Sequence, residues 1–570
     1  MRDARRPESS PVRSGDESDG ARVTASGRER ATTVAAMVRS RADDDNVGLV
    51  FGDRSWTWRQ VVAEAATRAA WMRATLDPAR PPHVGVLLPT VPEYVFQILG
   101  AALAGTCVVG VNSTRRGAEL ARDIDHTACQ FVVTDSTLSD LIDDPVCAED
   151  APWADFTGAA LPDSDPPPST LLFLLLTSGS TSAPKAAKCS QARLARGASD
   201  MGFGPKAVLY CPLTLAHGNA LNSSLFPALA NGCRLVLRDR FSASEWLNDV
   251  RSNDVTFTTT VGRALGYILA TPPTPHDRDH RLKVVLAPEA SPRDTAEFHR
   301  RFGVTVLSGY GSSEAGITLL PAGKPGSLGL APPGADVAVV TDAGVECEPA
   351  QFDSDGKMRN ATAAIGQLVR RDAAGAFEGY WNNPEADSDR WRGGWFWSGD
   401  LAYRDAEGVF WFAGRLGDWL RVDSENFAVS PVERILGRFP DATAVAVVGV
   451  PDPLAGDQVL AAFELLAGRS FDPDAFASFL DAQSDLGTKW APRFVRVMPE
   501  LPVISQGKVD KKPMRREAWL CDDPVWWRPA LSRGYALMTD ADRDGLRDEF
   551  LTHGRIDAYP QPSVLATETL

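Results

Sequence analysis

The 570-residue chain is 44% hydrophobic and has a formal charge of −15. That is more apolar material than one ordinary core takes up, so two or more domains are expected. With no basic block to offset the charge, nucleic acid is disfavoured as a partner. Eight cysteines without a CxxC pair and seven histidines suggest neither a disulfide frame nor a zinc site. No apolar run approaches the ~20 residues of a membrane span, and no hydrophobic segment follows the Arg-containing start. We therefore expect a cytoplasmic protein.

In chain order, residues 1–31 are polar and Gly/Ser-rich and read as a disordered leader. Helix-like stretches then follow at Val61–Met72 and Pro92–Ala104. They alternate with strand-like runs at Val84–Leu88, Thr106–Val111 and Phe131–Thr134, the pattern of a βα-layered sheet. The run Asp163-Ser164-Asp165-Pro166-Pro167-Pro168 interrupts the alternation as a linker, and it resumes from Arg234 to Leu307. His276 and His280 share helical spacing, but Pro272, Pro273 and Pro275 make a solvated loop the better reading. Short strands and turns from Val337 to Phe412 predict a β-rich subdomain. A small α+β unit comes next: a helix near Ser430–Gly437, strands at Ala444–Val450 and Gln458–Glu464, and a helix near Asp474–Ala482. A last helix is expected around Ala541–His553.

The chemistry begins where Leu171–Leu176, a strand buried on both faces, runs into Thr177-Ser178-Gly179-Ser180-Thr181-Ser182-Ala183-Pro184-Lys185. Backbone N–H groups of such a loop approach phosphate oxygens closely, hydroxyls add donors, and Lys185 adds a compact positive charge. No Gly-Lys-Ser/Thr closes the loop, so it is not a Walker A sequence. Alone, it reads equally as an ordinary surface turn. Four motifs farther down the chain give it meaning: Tyr310-Gly311-Ser312-Ser313-Glu314, then Gly394–Asp400 (GWFWSGD), Gly414–Asp418 (GRLGD) and Ser505–Asp510 (SQGKVD).

These five motifs, in this order, resemble the adenylate-forming (AMP-binding) superfamily of acyl-CoA synthetases, nonribosomal peptide adenylation domains and luciferases. The chain looks closest to its fatty-acid-CoA ligase and fatty-acid-transport-protein branch, on Phe377–Pro384 (FEGYWNNP), Gly414–Asn426 and Asp523–Arg528 (DPVWWR). The likeness runs from about residue 32 to residue 530. It implies an α/β fold with a β-rich subdomain: a large N-terminal adenylating domain (32–414), a hinge (415–418) and a small mobile α+β C-terminal lid (419–530), followed by a tail (531–570).

The resemblance also implies roles. Thr177 to Thr181 and Lys185 would hold phosphates; Tyr310 would stack on adenine, with Gly311 and Ser313 beside it. Glu314 would hold Mg²⁺, Asp400 would accept the ribose hydroxyls, and Arg415 would be its companion. Lys508 would bridge the acid's carboxylate and the α-phosphate, and His217 is a catalytic or gating residue of the acyl pocket. The implied reaction joins a carboxylic acid to ATP as an acyl-adenylate, releases pyrophosphate, and passes the acyl group to CoA with release of AMP.

Several departures leave alternatives open. Ser182 and Ala186 replace usual glycines, Ser424 replaces a common glycine of the pantetheine passage, Ala216 stands where an aromatic often gates the pocket, and Ala287-Pro288-Glu289-Ala290 lacks the usual Gly-Asn-Glu. A diazotase-like enzyme, activating nitrite for transfer to an aryl amine, and adenylation with another non-CoA acceptor both stay open. So does a degenerate nucleotide-binding regulator, although Lys185, Glu314, Asp400, Arg415 and Lys508 are all present. The run Arg390-Trp391-Arg392 with Trp395 and Trp397 reads as core and nucleotide-site packing rather than base stacking with nucleic acid.

Overall fold

The computed structural model describes residues 31–560 except 114, 178–183, 199–200, 313, 315, 355, 357, 374, 416–418, 423–424, 455, 484, 488, 504–508 and 530–533. The expected leader to residue 30, the loop residues Ser178 to Thr181, Ser313, Asp418, Ser424, Lys508 and the chain end from residue 561 lie outside the described residues. For Thr177 and Arg415 the description covers the backbone.

Two largely parallel sheets form the frame. The first orders its strands Val146–Cys147, Phe131–Thr134, His83–Leu87, Cys107–Gly110, Leu171–Thr177 and Lys185–Ser190, parallel except for the last, which returns antiparallel. The second runs Thr305–Leu307, Val284–Leu286, Phe257–Thr259, Val208–Cys211, Arg234–Leu237, Val47–Phe51 and Arg54–Thr57, with the final strand antiparallel. Helices Trp58–Thr75, Pro92–Ala104 and Gln191–Ala198 share one buried cluster with strands of both sheets. Strands covered on both faces are largely apolar, and His83–Leu87 and Cys107–Gly110 are buried throughout; the one polar side chain among them, His83, has its Nδ1 2.6 Å from Thr127 O.

Local signals set the helix limits. Pro92 occupies the first turn of Pro92–Ala104, where its missing N–H costs nothing, and Gly105 ends the helix in the left-handed region at φ 75°. The Pro-rich interruption proves tied down: Pro166 packs beside Gly105, and Asp165 pairs with Arg39 at 2.9 Å.

The β-rich subdomain is an antiparallel sheet in the order Ser327–Gly329, Phe410–Arg415, Trp395–Arg404, Gly366–Arg370 and Val337–Val340. Within a smaller C-terminal domain, Ala442–Pro451, Asp457–Leu465, Phe494–Met498, Val525–Trp527 and Ala536–Leu537 form a second mixed sheet. Its strands read with period two: Ala461 and Phe463 face a cluster with Phe439 and Phe476, while Leu460 and Ala462 face one with Trp519 and Phe550. Phe550 comes from the helix Asp540–Thr552, which covers that second face. No described helix is long and apolar enough to cross a membrane.

Candidate active site

The buried strand Leu171–Thr177 and the return strand Lys185–Ser190 pair in a register that sets Thr177 opposite Lys185. The strands on either side of the Ser/Gly/Thr stretch are thus paired up to Thr177 and Lys185. A Walker loop leads into a helix; this one leads back into a strand. A third segment runs beside the return strand: Ala187 bridges Tyr380, Trp381 N–H donates to Ala186 O at 2.8 Å, and Lys188 N–H donates to Gly379 O at 2.9 Å. Phe377–Pro384 is thereby laid along the edge of the hairpin.

That placement makes Tyr380 a hub. Its ring lies 5.9 Å from Lys185 Nζ, and its hydroxyl donates to Glu314 Oε1 at 2.6 Å. Arg390 Nη2 stands 3.7 Å from the same oxygen, and Arg390 Nε donates to the Tyr380 hydroxyl at 3.3 Å. Glu314 is 7% exposed. Burial alone pushes its carboxyl upward, but the Arg390 charge and the Tyr380 hydroxyl outweigh it and hold the group below the usual carboxylate range. Glu314 is therefore an ionised carboxylate in a dry setting. A buried, ionised carboxylate of this kind can serve as a ligand to a hard cation such as Mg²⁺.

Asp400 sits on Trp395–Arg404 with Arg415 as its partner across the antiparallel pair, so the residues expected at one ribose are neighbours. The Tyr310 hydroxyl donates to Asp400 Oδ2 at 2.5 Å. One oxygen of the expected ribose acceptor is thus already committed, and the bond fixes the plane of the Tyr310 ring. Burial and the Asp400 charge push the Tyr310 phenol well up, so it stays a donor. Gly399, next to Asp400 in the chain, has φ 73°, and a Cβ there would come against Arg390 Nη1. Only glycine tolerates both the left-handed backbone and the guanidinium beside it, and Arg390 Nη1 also donates to Ser398 O.

His217 caps the short helix Gly218–Ala220 and is 7% exposed. The adjoining Ala216 carbonyl comes within 3.0 Å of the position a Cβ on Gly110 would take, and Gly218 packs on Leu175. His217 therefore stands at the carboxyl ends of two central strands. Burial pulls its imidazole down to about 4, so it is neutral near pH 7 and suits a gate better than a cation. Gly311 is exposed in the short hairpin of Tyr310–Gly311 with Thr318–Leu319.

Ala287–Ala290 closes against the helix Gly262–Leu269. Gly262 N–H donates to Pro288 O at 2.9 Å, and a Cβ on Gly262 would collide with Glu289 O.

Comparison with known proteins gives the family. The profile of the AMP-binding enzymes matches residues 37–381, and that of the AMP-binding enzyme C-terminal domain matches residues 431–508. The chain belongs to the AMP-binding enzyme family. It is 47% identical to the steroid-22-oyl-CoA synthetase of Rhodococcus jostii over 92% of this chain and 98% of that one. The medium/long-chain-fatty-acid–CoA ligase FadD17 of Mycobacterium tuberculosis is 40% identical over 87% and 98%. Among solved structures, an anthranilate CoA ligase, AuaEII, in complex with anthranoyl-AMP aligns with a TM-score of 0.75 at 20% identity, over 86% of this chain and 97% of that one, which speaks to the fold. This AMP-binding enzyme is an ATP-dependent, AMP-forming acyl-CoA ligase; the nitrite-activating and regulator alternatives are not favoured by such relatives.

Of the residues expected from the motifs, the structure brings Lys185 and Glu314 together through Tyr380, and Tyr310 together with Asp400 and Arg415. Two side chains that attend Glu314, Tyr380 and Arg390, were not among the residues expected at the site. Both lie in segments that did stand out, the FEGYWNNP run and the Arg/Trp run.

Proposed function

We propose that the acid activated by this enzyme is bulky and largely apolar, a carboxylate on a steroid side chain in the first place and a medium- or long-chain fatty acid in the second. The observation that carries this reading is the 47% identity to a steroid-22-oyl-CoA synthetase along nearly its whole length. Ala216, small where relatives often carry an aromatic, agrees with a wide acyl entrance.

The residue roles follow the family resemblance; for Tyr310, Glu314 and Asp400 the geometry described above supports them. ATP enters with its phosphates on the 177–185 hairpin, its adenine against Tyr310 and its ribose on Asp400. Glu314, held ionised by Arg390 and Tyr380, would supply a ligand to Mg²⁺, which neutralises phosphate charge. A carboxylate and a triphosphate repel each other; Lys508 neutralises both as the acid's oxygen bonds to the α-phosphorus and the bond to pyrophosphate breaks. In the second step the CoA sulfur, its proton lost, attacks the acyl carbon, the new C–S bond forms, and AMP leaves with the electrons of the C–O bond.

The test is product analysis by mass spectrometry after incubating the purified protein with ATP, Mg²⁺, CoA and either steroid-22-oic acids or medium- and long-chain straight-chain acids. A steroid thioester formed with kcat/KM at least ~10-fold above any straight-chain acid supports the reading. Equal or better use of straight-chain acids overturns the steroid assignment in favour of the fatty acid one.

A further inference from the structure

Arg263, near the start of the helix Gly262–Leu269, lies within the stretch matched by the AMP-binding profile, and Glu464, on the strand Asp457–Leu465, within that matched by the C-terminal profile. Arg263 Nη2 and Glu464 Oε2 are 2.6 Å apart, and their side chains are 14% and 10% exposed. The same carboxylate oxygen accepts the Leu501 backbone N–H at 3.1 Å. Arg263 Nε donates to the Tyr267 hydroxyl at 2.7 Å, which fixes the guanidinium one turn along its own helix.

The two ends of this pair stand at meaningful places. On the large domain, the helix start abuts Ala287–Ala290 through the close approach of Gly262 to Glu289 O. On the smaller domain, Leu501 opens the segment that leads to Lys508 seven residues later. A shielded salt bridge therefore ties the wall of the large domain to the Leu501 backbone, seven residues before Lys508 in the sequence. Such a pair contributes little net stability, because desolvation offsets the attraction, yet removing one partner leaves a buried charge uncompensated. Its energy depends steeply on the placement of the two domains.

We infer that Arg263 and Glu464 form a positioning latch, which holds the smaller domain in the orientation that presents Lys508 to the acid and ATP and which opens for the CoA step. The latch rests on the role proposed for Lys508 in adenylate formation. It touches no reacting atom; it acts through the Leu501 backbone.

Measuring the two half-reactions separately on the full chain tests it: acid-dependent exchange of labelled pyrophosphate into ATP, and thioester formation from supplied acyl-adenylate and CoA. Arg263→Gln and Glu464→Gln are each expected to slow exchange by about 10-fold, the size of coupling that contacting residues show, while the thioester step keeps or gains rate. The double variant should be no slower than the worse single variant, and the exchanged pair Arg263→Glu with Glu464→Arg should recover part of the loss. Should the exchanged pair misfold by thermal unfolding, Arg263→Lys takes its place and is expected between wild type and Arg263→Gln.

Exchange unchanged in both single variants, both half-reactions falling in parallel, or losses that simply multiply in the double variant would each overturn the latch. Lys508→Ala measured alongside separates the two claims. Its retention of exchange would sink the reading of Lys508, whereas its loss of exchange with unaffected Arg263 and Glu464 variants would sink the latch alone.

Discussion

The large domain's half of the site and the contact between the domains are built on opposite plans. Around Glu314 and Asp400, carboxylates are held by phenols and a guanidinium from three separate segments, with 2.5 and 2.6 Å hydrogen bonds and a glycine that admits no side chain. Between the domains, one of the contacts is a salt bridge of Arg263 with Glu464. The first plan suits preorganisation: dipoles and charges that cost no rearrangement when the phosphates arrive. The second suits alternation, since a charged pair can favour one orientation and still be released.

The contrast can be broken or sharpened in order of effect. Removing the cation that the smaller domain delivers should do most: Lys508→Ala is expected to lower adenylate formation by at least ~100-fold, as loss of a transition-state charge contact does, while thioester formation from supplied adenylate survives. Loss of both steps alike would mean the two domains do not divide the labour.

The preorganised half should respond next. Tyr380→Phe leaves the buried Glu314 carboxylate short of a donor, a penalty of roughly 1–3 kcal/mol, read as a fall of about 5- to 150-fold in kcat/KM for ATP. An unchanged kcat/KM would show that the phenol is packing and no more.

Arg390→Gln probes the same carboxylate through pH. Burial pushes Glu314 up and Arg390 is foremost among the groups pulling it down, so removing the guanidinium leaves burial less opposed and the carboxyl protonates at higher pH. The acid limb of the kcat/KM profile should then move toward neutrality; a limb that stays in place, or moves down, contradicts the role given to Arg390.

The smallest effect concerns stability and leaves activity at neutral pH aside. Folded His217 resists protonation down to about 4 against an ordinary 6.5. Between those values the unfolded chain binds the extra proton, so stability rises with pH across that window and is lost as pH falls through it. His217→Gln should flatten the dependence by on the order of 1 kcal/mol at about pH 5.5, visible in denaturant midpoints compared with those at neutral pH. Equal slopes in wild type and variant would place the imidazole in water.

Much of this protein was written locally. Pro92 and Gly105 bracket a helix because one lacks an N–H where none is needed and the other turns left-handed without strain. Phe131–Thr134 is a strand because four residues of β-branched and aromatic character lie between polar turns. Tyr310, Glu314 and Asp400 carried recognisable chemistry from their motifs alone, and the order of those motifs gave the family. What no local pattern held was pairing across distance. Tyr380 reaches Glu314 over 66 residues because strand register lays Phe377–Pro384 along the hairpin of Lys185. Arg263 reaches Glu464 over 201 residues because two domains dock. The sequence by itself determined the elements, the family and the types of charge at the site; only the tertiary structure decided which phenol and which guanidinium attend each carboxylate. The physical reason is range: backbone propensity and hydrophobic period act over a few residues, whereas a hydrogen-bond partner is chosen by sheet register and domain placement, which depend on the whole chain.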